Sequence, residues 1–221
     1  MAEHHFEQEE VERIKAWWQR YGNLASLILS MVLLGIAAVR AWAWYQDKQA
    51  REAAEIYDRA VMAANKADLA LLKQESGSLF EQYPKTTYAP LAAMLSAKQH
   101  AQASDLKTAG TLLQSVIDRQ NNEGFQVIAR LRLATVLLDE GKAEEALKVL
   151  DAVNISQGGA LEAFALAHLD RKGDVLMALG RTDEALKSWD EAIVKASEEP
   201  AWKQLIQIKR DHAATSSRSS S

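Results

Sequence analysis

The chain has 221 residues, 48% of them hydrophobic, which is enough apolar side chain to fill a core and excludes disorder along its whole length. A net charge of −4 leaves no basic face of the kind that displaces counterions from nucleic acid. The absence of cysteine removes disulfides, thiolate zinc sites and cysteine nucleophiles together. Three prolines and ten glycines, with few β-branched residues and no sustained period-two alternation, read as an all-α protein.

After a polar N-terminal segment, 1–20, the first element is a transmembrane helix over 21–45. Tyr21 to Val39 is 19 residues without a charge. At about 1.5 Å per residue it spans about 28 Å, close to the ~30 Å hydrocarbon core of a bilayer. Arg20 and Arg40 bracket it, and Arg40 can snorkel, so the helix runs on to about Tyr45. Trp17, Trp18 and Tyr21 stand at one end and Trp42, Trp44 and Tyr45 at the other, as an interfacial aromatic belt requires. A soluble core helix has no reason to collect tryptophan at both ends. Ala41 and Ala43 offer an A-x-A cleavage pattern. However, Glu3, Glu7, Glu9, Glu10 and Glu12 deny the first 20 residues the positive start of a signal peptide. The expectation is therefore an uncleaved anchor. Arg13, Lys15 and Arg20 before the span balance Arg40, Lys48, Arg51 and Arg59 after it, so charge leaves the orientation open.

A helical domain is expected over 46–214. The spacing predicts helices over Gln46–Lys66, from Asp68 to about Tyr83, from about Pro90, over Val127–Glu140 and Leu166–Leu179, and from Pro200 to about Ala214. Two stretches repeat at an offset of 39. Gly141-Lys142-Ala143-Glu144-Glu145-Ala146-Leu147-Lys148 matches Gly180-Arg181-Thr182-Asp183-Glu184-Ala185-Leu186-Lys187, and Leu150 matches Trp189. Upstream, Leu133, Ala134 and Leu137 hold the leucine, small and large positions of a tetratricopeptide helix A. In the second copy Gly173 and Leu176 hold the small and large positions, but Lys172 replaces the leucine. A degenerate third copy, Pro90 to Ile117, keeps Ser104, Ala109, Leu113 and Val116 in register at offset 37, with His100 where a large apolar residue is usual. The loop Asn154 to Gly159 can absorb the longer spacing. The last helix, with Trp202, Leu205, Ile206 and Ile208 on one side and Lys203, Lys209, Arg210 and Asp211 elsewhere, reads as a cap with a polar outer face. Residues 215–221, mostly serine, read as a disordered tail.

No phosphate loop, dinucleotide fingerprint, metalloprotease helix or nucleophile elbow occurs. His4 and His5 lie near the N-terminus, and His100, His168 and His212 stand at no ligand spacing. The reading is not an enzyme, with no cofactor and no metal. A solenoid offers instead a concave face lined by helix A side chains. By register these are Leu91, Met94 and Lys98, then Ile128, Leu131, Thr135 and Leu138, then Asp170, Asp174 and Met177. Such a surface takes extended or helical segments of other proteins, although several of the leucines could equally be inter-repeat core.

The N-terminal run Glu10-Val11-Glu12-Arg13-Ile14-Lys15-Ala16-Trp17-Trp18, then Tyr21-Gly22-Asn23, a single anchor and degenerate repeats resemble the ancillary subunit of the bacterial Sec translocon. Thr87-Tyr88-Ala89-Pro90-Leu91-Ala92 and Ile128-Ala129-Arg130-Leu131-Arg132-Leu133-Ala134 resemble it too, and the likeness runs from about residue 7 to 210. It implies a bacterial inner-membrane protein with a cytoplasmic N-terminus and a periplasmic tetratricopeptide-like domain. It further implies association with the Sec channel and with a membrane-anchored periplasmic chaperone of the prolyl-isomerase type, and help in handing over secreted proteins, with unfolded precursors as possible ligands. Trp17, Trp18, Tyr21, Trp42 and Trp44 are then expected to matter for membrane and channel association. The alternative is a membrane-tethered scaffold that sequesters one specific partner, with Lys98, Arg132 and Asp170 setting the choice.

Overall fold

The computed structural model describes the backbone of residues 3–153 and 159–219, and the side chains of residues 12–13, 15–153 and 161–215. Most of the Asn154–Gly159 loop and the side chains of His4 and His5 lie outside the described residues. The described chain is helical throughout, with no strand: α1 Glu3–Asn65, α2 Leu69–Gln82, α3 Tyr88–Gln102, α4 Leu106–Arg119, α5 Glu123–Asp139, α6 Ala143–Asp151, a 3-10 turn Gly159–Phe164, α7 Ala165–Ala178, α8 Thr182–Lys195 and α9 Pro200–Ser219. Two differences from the sequence reading stand out. Pro90 is the third residue of α3 rather than its first, still within the first turn, where its missing N–H costs nothing. Helical backbone also continues through Ser219, into the segment expected to be a tail.

The chain divides into two compact units, Met1–Arg51 and Glu52–Ser221, with the boundary inside α1. In the second unit, residues 52–65 of α1 pack as the first helix of a hairpin with α2. Arg59 donates to both carboxylate oxygens of Glu75 at 3.1 Å, the Tyr83 hydroxyl donates to Glu52 at 3.1 Å, and Tyr57 meets the Tyr88 ring at 5.5 Å between centroids.

Four hairpin turns then repeat one geometry. Ala67, Ser104, Gly141 and Gly180 have φ of 54°, 63°, 75° and 72°, at intervals of 37, 37 and 39 residues. At each, the N–H of the following residue reaches back to close a Schellman turn: Asp68 to the Ala63 carbonyl (2.9 Å), Asp105 to His100 (2.8 Å), Lys142 to Leu137 (2.8 Å), and Arg181 to Leu176 (2.9 Å). The described residues therefore carry four helix pairs where the sequence reading found three. Residues 52–65 with α2 are the missing first copy, with Ala60 and Leu72 fully buried at the positions held by Ala97 and Ala109 in the next.

By register each pair sets one small residue on its first helix level with one side chain on its second. The combinations are Ala60 with Ser76, Ala97 with Leu113, Ala134 with Leu150, and Gly173 with Trp189, all buried. The last is the most exacting. A Cβ on Gly173 would lie 2.6 and 2.7 Å from Cδ1 and Cε2 of Trp189, so only glycine admits the indole. The ring is then fixed by its N–H donating to the Asp170 carbonyl at 3.2 Å, beside Ser188 Oγ donating to the Leu169 carbonyl at 2.8 Å.

The C-terminal α9 packs on α8, and its apolar residues do not share one side as expected. Ile206 and Ala213 are buried, whereas Leu205 and Ile208 face solvent. Lys209, expected away from the apolar side, turns inward as an ion-pair partner.

Candidate functional site

In the first unit, α1 presents a helix long and apolar enough to cross a membrane, and none of its most apolar window is buried. That exposure is unlike the core helix of a soluble protein, which is mostly buried. Leu24, Leu27, Ile28, Leu29, Met31, Leu33, Leu34 and Val39 are all more than half exposed. Trp17, Trp18 and Tyr21 form one aromatic cluster, with centroids 6.0–6.2 Å apart and the Arg20 guanidinium 5.8 Å from the Tyr21 ring. Trp42 lies 6.2 Å from Tyr45, and Lys48 sits 5.8 Å from the Trp44 ring. Aromatic bodies beside cationic heads suit the two polar boundaries of a bilayer.

In the second unit, an open cleft of about 490 Å³ lies on α3 and α5. Its floor is Ala97, Ala101, Leu113 and Val136; its rim is Lys98 and Gln102 from α3 with Arg132, Thr135 and Asp139 from α5. Lys98 and Thr135 thus come together as the register placed them. The other expected lining residues lie elsewhere. Leu91 is a little over one-third exposed outside the cleft. Met94 is buried in the core, and Ile128, Leu131, Leu138 and Met177 are half-buried and pack against it.

Asp170 and Asp174 do not line an open surface, because α9 covers them. Lys209 Nζ lies 2.8 Å from an oxygen of each carboxylate, the Trp202 indole N–H reaches Asp170 at 3.4 Å, and Arg171 reaches Asp174 at 3.3 Å. Burial pushes the Asp174 carboxyl above its ordinary range, and Lys209 only partly offsets it. The buried Asp170 and the half-buried Asp174 occupy the same register as Leu131 and Thr135. Their charge is tolerated because α9 brings a lysine to them.

A family model described as a tetratricopeptide repeat-like domain matches residues 15–215. An ancillary SecYEG translocon subunit of Neisseria gonorrhoeae is 30% identical over 213 residues, covering 96% of this chain and 99% of the relative. That of Escherichia coli K12 is 29% identical over 209 residues, covering 92% and 94%, and that of Haemophilus influenzae is 25% identical over 186 residues, covering 82% and 89%. The chain belongs to the family of ancillary SecYEG translocon subunits.

Two histidines of the repeats make contacts within the fold. His100 is buried, with Nδ1 2.9 Å from Asp105, the residue that caps α4 through the Thr108 amide. His168 Nε2 lies 3.1 Å from the Leu150 carbonyl, an acceptor only, so Nε2 carries the proton; burial holds this imidazole below its ordinary pKa. No group of three acidic or histidine side chains able to hold a metal occurs among the described residues. Gln102 and Asp139 were missed from sequence. They stand 37 residues apart, one helical turn beyond Lys98 and Thr135, and that shared register was the signal.

Proposed function

We propose that this chain is a non-enzymatic inner-membrane accessory of the Sec translocon, anchored by the exposed span of α1 and offering the helical repeats to other proteins. The observation that carries the reading is likeness to ancillary translocon subunits along nearly the whole chain, span and repeats together. In this reading Trp17, Trp18, Tyr21, Trp42 and Trp44 seat the span in the bilayer beside the channel, and the N-terminus is cytoplasmic. The periplasmic repeats assist a membrane-anchored chaperone of the prolyl-isomerase type in receiving secreted proteins. Confinement to the membrane surface raises the effective concentration of the repeats near emerging chains.

The deciding experiment is isolation of the full-length protein from membranes in mild detergent, beside a version whose residues 21–45 come from an unrelated anchor. Channel subunits should accompany the native span and be depleted with the foreign one. A single stoichiometric partner without the channel would favour a scaffold instead. Protease added to spheroplasts should remove the repeat domain; protection until lysis would put the repeats on the cytoplasmic side and end the secretion reading.

A further inference from the structure

The helix pairs meet at joints, where the first helix of one pair turns a face to the second helix of the pair before it. At the joint of α5 with α4 that face carries Leu133 and Leu137, both buried, and a Cβ on Gly110 of α4 would lie 3.7 Å from Leu133 Cδ1. The 37-residue register sets Ser96 and His100 of α3 in the places of those leucines at the joint with α2. Both are more than nine-tenths buried, Ser96 completely, yet Ser96 Oγ and His100 Nε2 have no hydrogen-bond partner among the described residues. They stand one helical turn apart on the same side of α3. The other ring nitrogen of His100, Nδ1, lies 2.9 Å from Asp105 in the turn that follows. The apolar packing of α3 is also thin. It buries four alanines with Pro90 and Met94, where α5 buries Val127, Leu133, Val136 and Leu137 beside its alanines. Later joints carry polar ties as well: Lys172 of α7 holds Asp151 of α6 at 2.7 Å, and Arg210 of α9 holds Asp190 of α8 at 3.0 Å. Among the described residues no side-chain hydrogen bond or ion pair joins α3 to α2. The ring and polar contacts that span this joint gather at its connected end. The Arg119 guanidinium lies 5.8 Å from the Phe80 ring, the Gln120 amide donates to the Pro84 carbonyl at 3.3 Å, and Tyr57 meets Tyr88.

We propose that the joint between α2 and α3 opens on its own in the native protein, pivoting on residues 83–87, so that the second, third and fourth pairs swing as one body on the first. The closed joint withholds two polar atoms from water without compensation, and opening returns both to it. What opening uncovers is mainly alanine, which gains less from burial than the leucines of the next joint. Both effects lower the free energy of this movement below that of the same movement between α4 and α5, and below that of global unfolding. The aromatic and polar contacts at residues 80–88 stay made and set the pivot. The movement changes the reach of the later pairs while every helix stays folded. It rests on the packing of the repeats alone and does not depend on which proteins they receive.

The chain has no cysteine, so a single introduced thiol reports local opening without background. Ala92 and Ala129 make a matched pair: they share one register, are fully buried, and precede Ser96 and Leu133 by one turn. A92C and A129C, each in the full chain in lipid nanodiscs, are labelled with a thiol-reactive dye under native conditions. Global unfolding uncovers both alike, so the difference between them measures the joint. A92C should label about tenfold faster or more, at a rate nearly independent of low urea, because local opening exposes little surface. Adding S96A removes one stranded atom from the closed joint. It should slow A92C about fivefold and leave A129C unchanged. Equal rates at the two positions, a rate at A92C that climbs with urea as steeply as global unfolding, or no slowing by S96A would each overturn the proposal. If A92C does not fold, S96C is compared with L133C instead. The cavity left at Leu133 favours labelling of that control, so faster labelling of S96C supports the opening, and labelling no faster than L133C overturns it.

Discussion

Replacing Gly173 by alanine would put a methyl carbon 2.6 Å from the Trp189 ring, which is buried and held by the Asp170 carbonyl and cannot swing outward. Overpacking of this kind costs about 1–3 kcal/mol. Trp189→Leu alone leaves a void and should cost a similar amount, about 1–3 kcal/mol. The double variant recreates the Ala134/Leu150 combination already present one repeat earlier, so the two losses should not add. A favourable coupling of about 1 kcal/mol or more in denaturant unfolding of the full chain would establish it, and additive losses would deny the contact. The sequence put Gly173 at the small position and matched Trp189 to Leu150, whereas the packing of the ring over that glycine is a finding of the structure. The Asp170–Lys209 contact was not legible in sequence: helical spacing gives the face on which a charge sits but not which later helix will cover it. His168 supplies a pH dependence. Its folded pKa lies below the unfolded value through burial, so its contribution is complete above about pH 6.5 and is lost as pH falls toward the folded pKa. His168→Gln keeps an amide donor near the Leu150 carbonyl and does not titrate. Stability measured between pH 7 and 5 should therefore fall less steeply in the variant than in the parent.

Among the elements, the four turns show two ways of building one geometry. Gly141 and Gly180 take a left-handed φ without steric cost, and the residues that follow, Lys142 and Arg181, provide no side-chain cap. Ala67 and Ser104 take the same φ against a cost of about 1–2 kcal/mol. The aspartates that follow recover about 1 kcal/mol by capping: Asp68 accepts from the Leu71 amide at 3.0 Å and Asp105 from Thr108 at 3.1 Å. Ala67→Gly and Ser104→Gly should each therefore stabilise the domain by about 0.5–1 kcal/mol, after allowing for the extra freedom of glycine in the unfolded chain. A shift of the unfolding midpoint checks this; no gain would mean that the turn carries no strain. The same chemistry explains why the first repeat was not legible as a repeat. Both helices were expected, but the turn between them lacks the glycine of the last two copies, and Ser76 stands where Leu113, Leu150 and Trp189 carry the match. At the other end, Lys209→Met should strand two carboxylates and cost about 1–3 kcal/mol. The exposed Arg210–Asp190 pair, at 3.0 Å, should cost no more than about 1 kcal/mol on Arg210→Ala. Faster amide exchange across α9 in the first variant and not the second would distinguish them.

For the whole chain, the exposed apolar surface between the two tryptophan clusters makes insertion the dominant constraint on residues 21–45. Aspartate at a span centre costs about 3 kcal/mol, so Leu29→Asp with Leu33→Asp should move the protein from the carbonate-resistant membrane pellet to the supernatant. Retention of the double variant in the pellet would mean that something other than the span holds it. Beyond the span, helices pack chiefly on their neighbours in sequence: α2 on α3, α3 on α4, α4 on α5, α5 on α6, α7 on α8 and α8 on α9. Contacts so local close short loops and favour rapid folding. Each hairpin has most of its partners as soon as the next one follows, so the domain can assemble in step with its own emergence during synthesis, from residue 52 onward. Asp170 and Asp174 must wait for a distant group, Lys209, and the repeats reach their final stability when the last helix arrives.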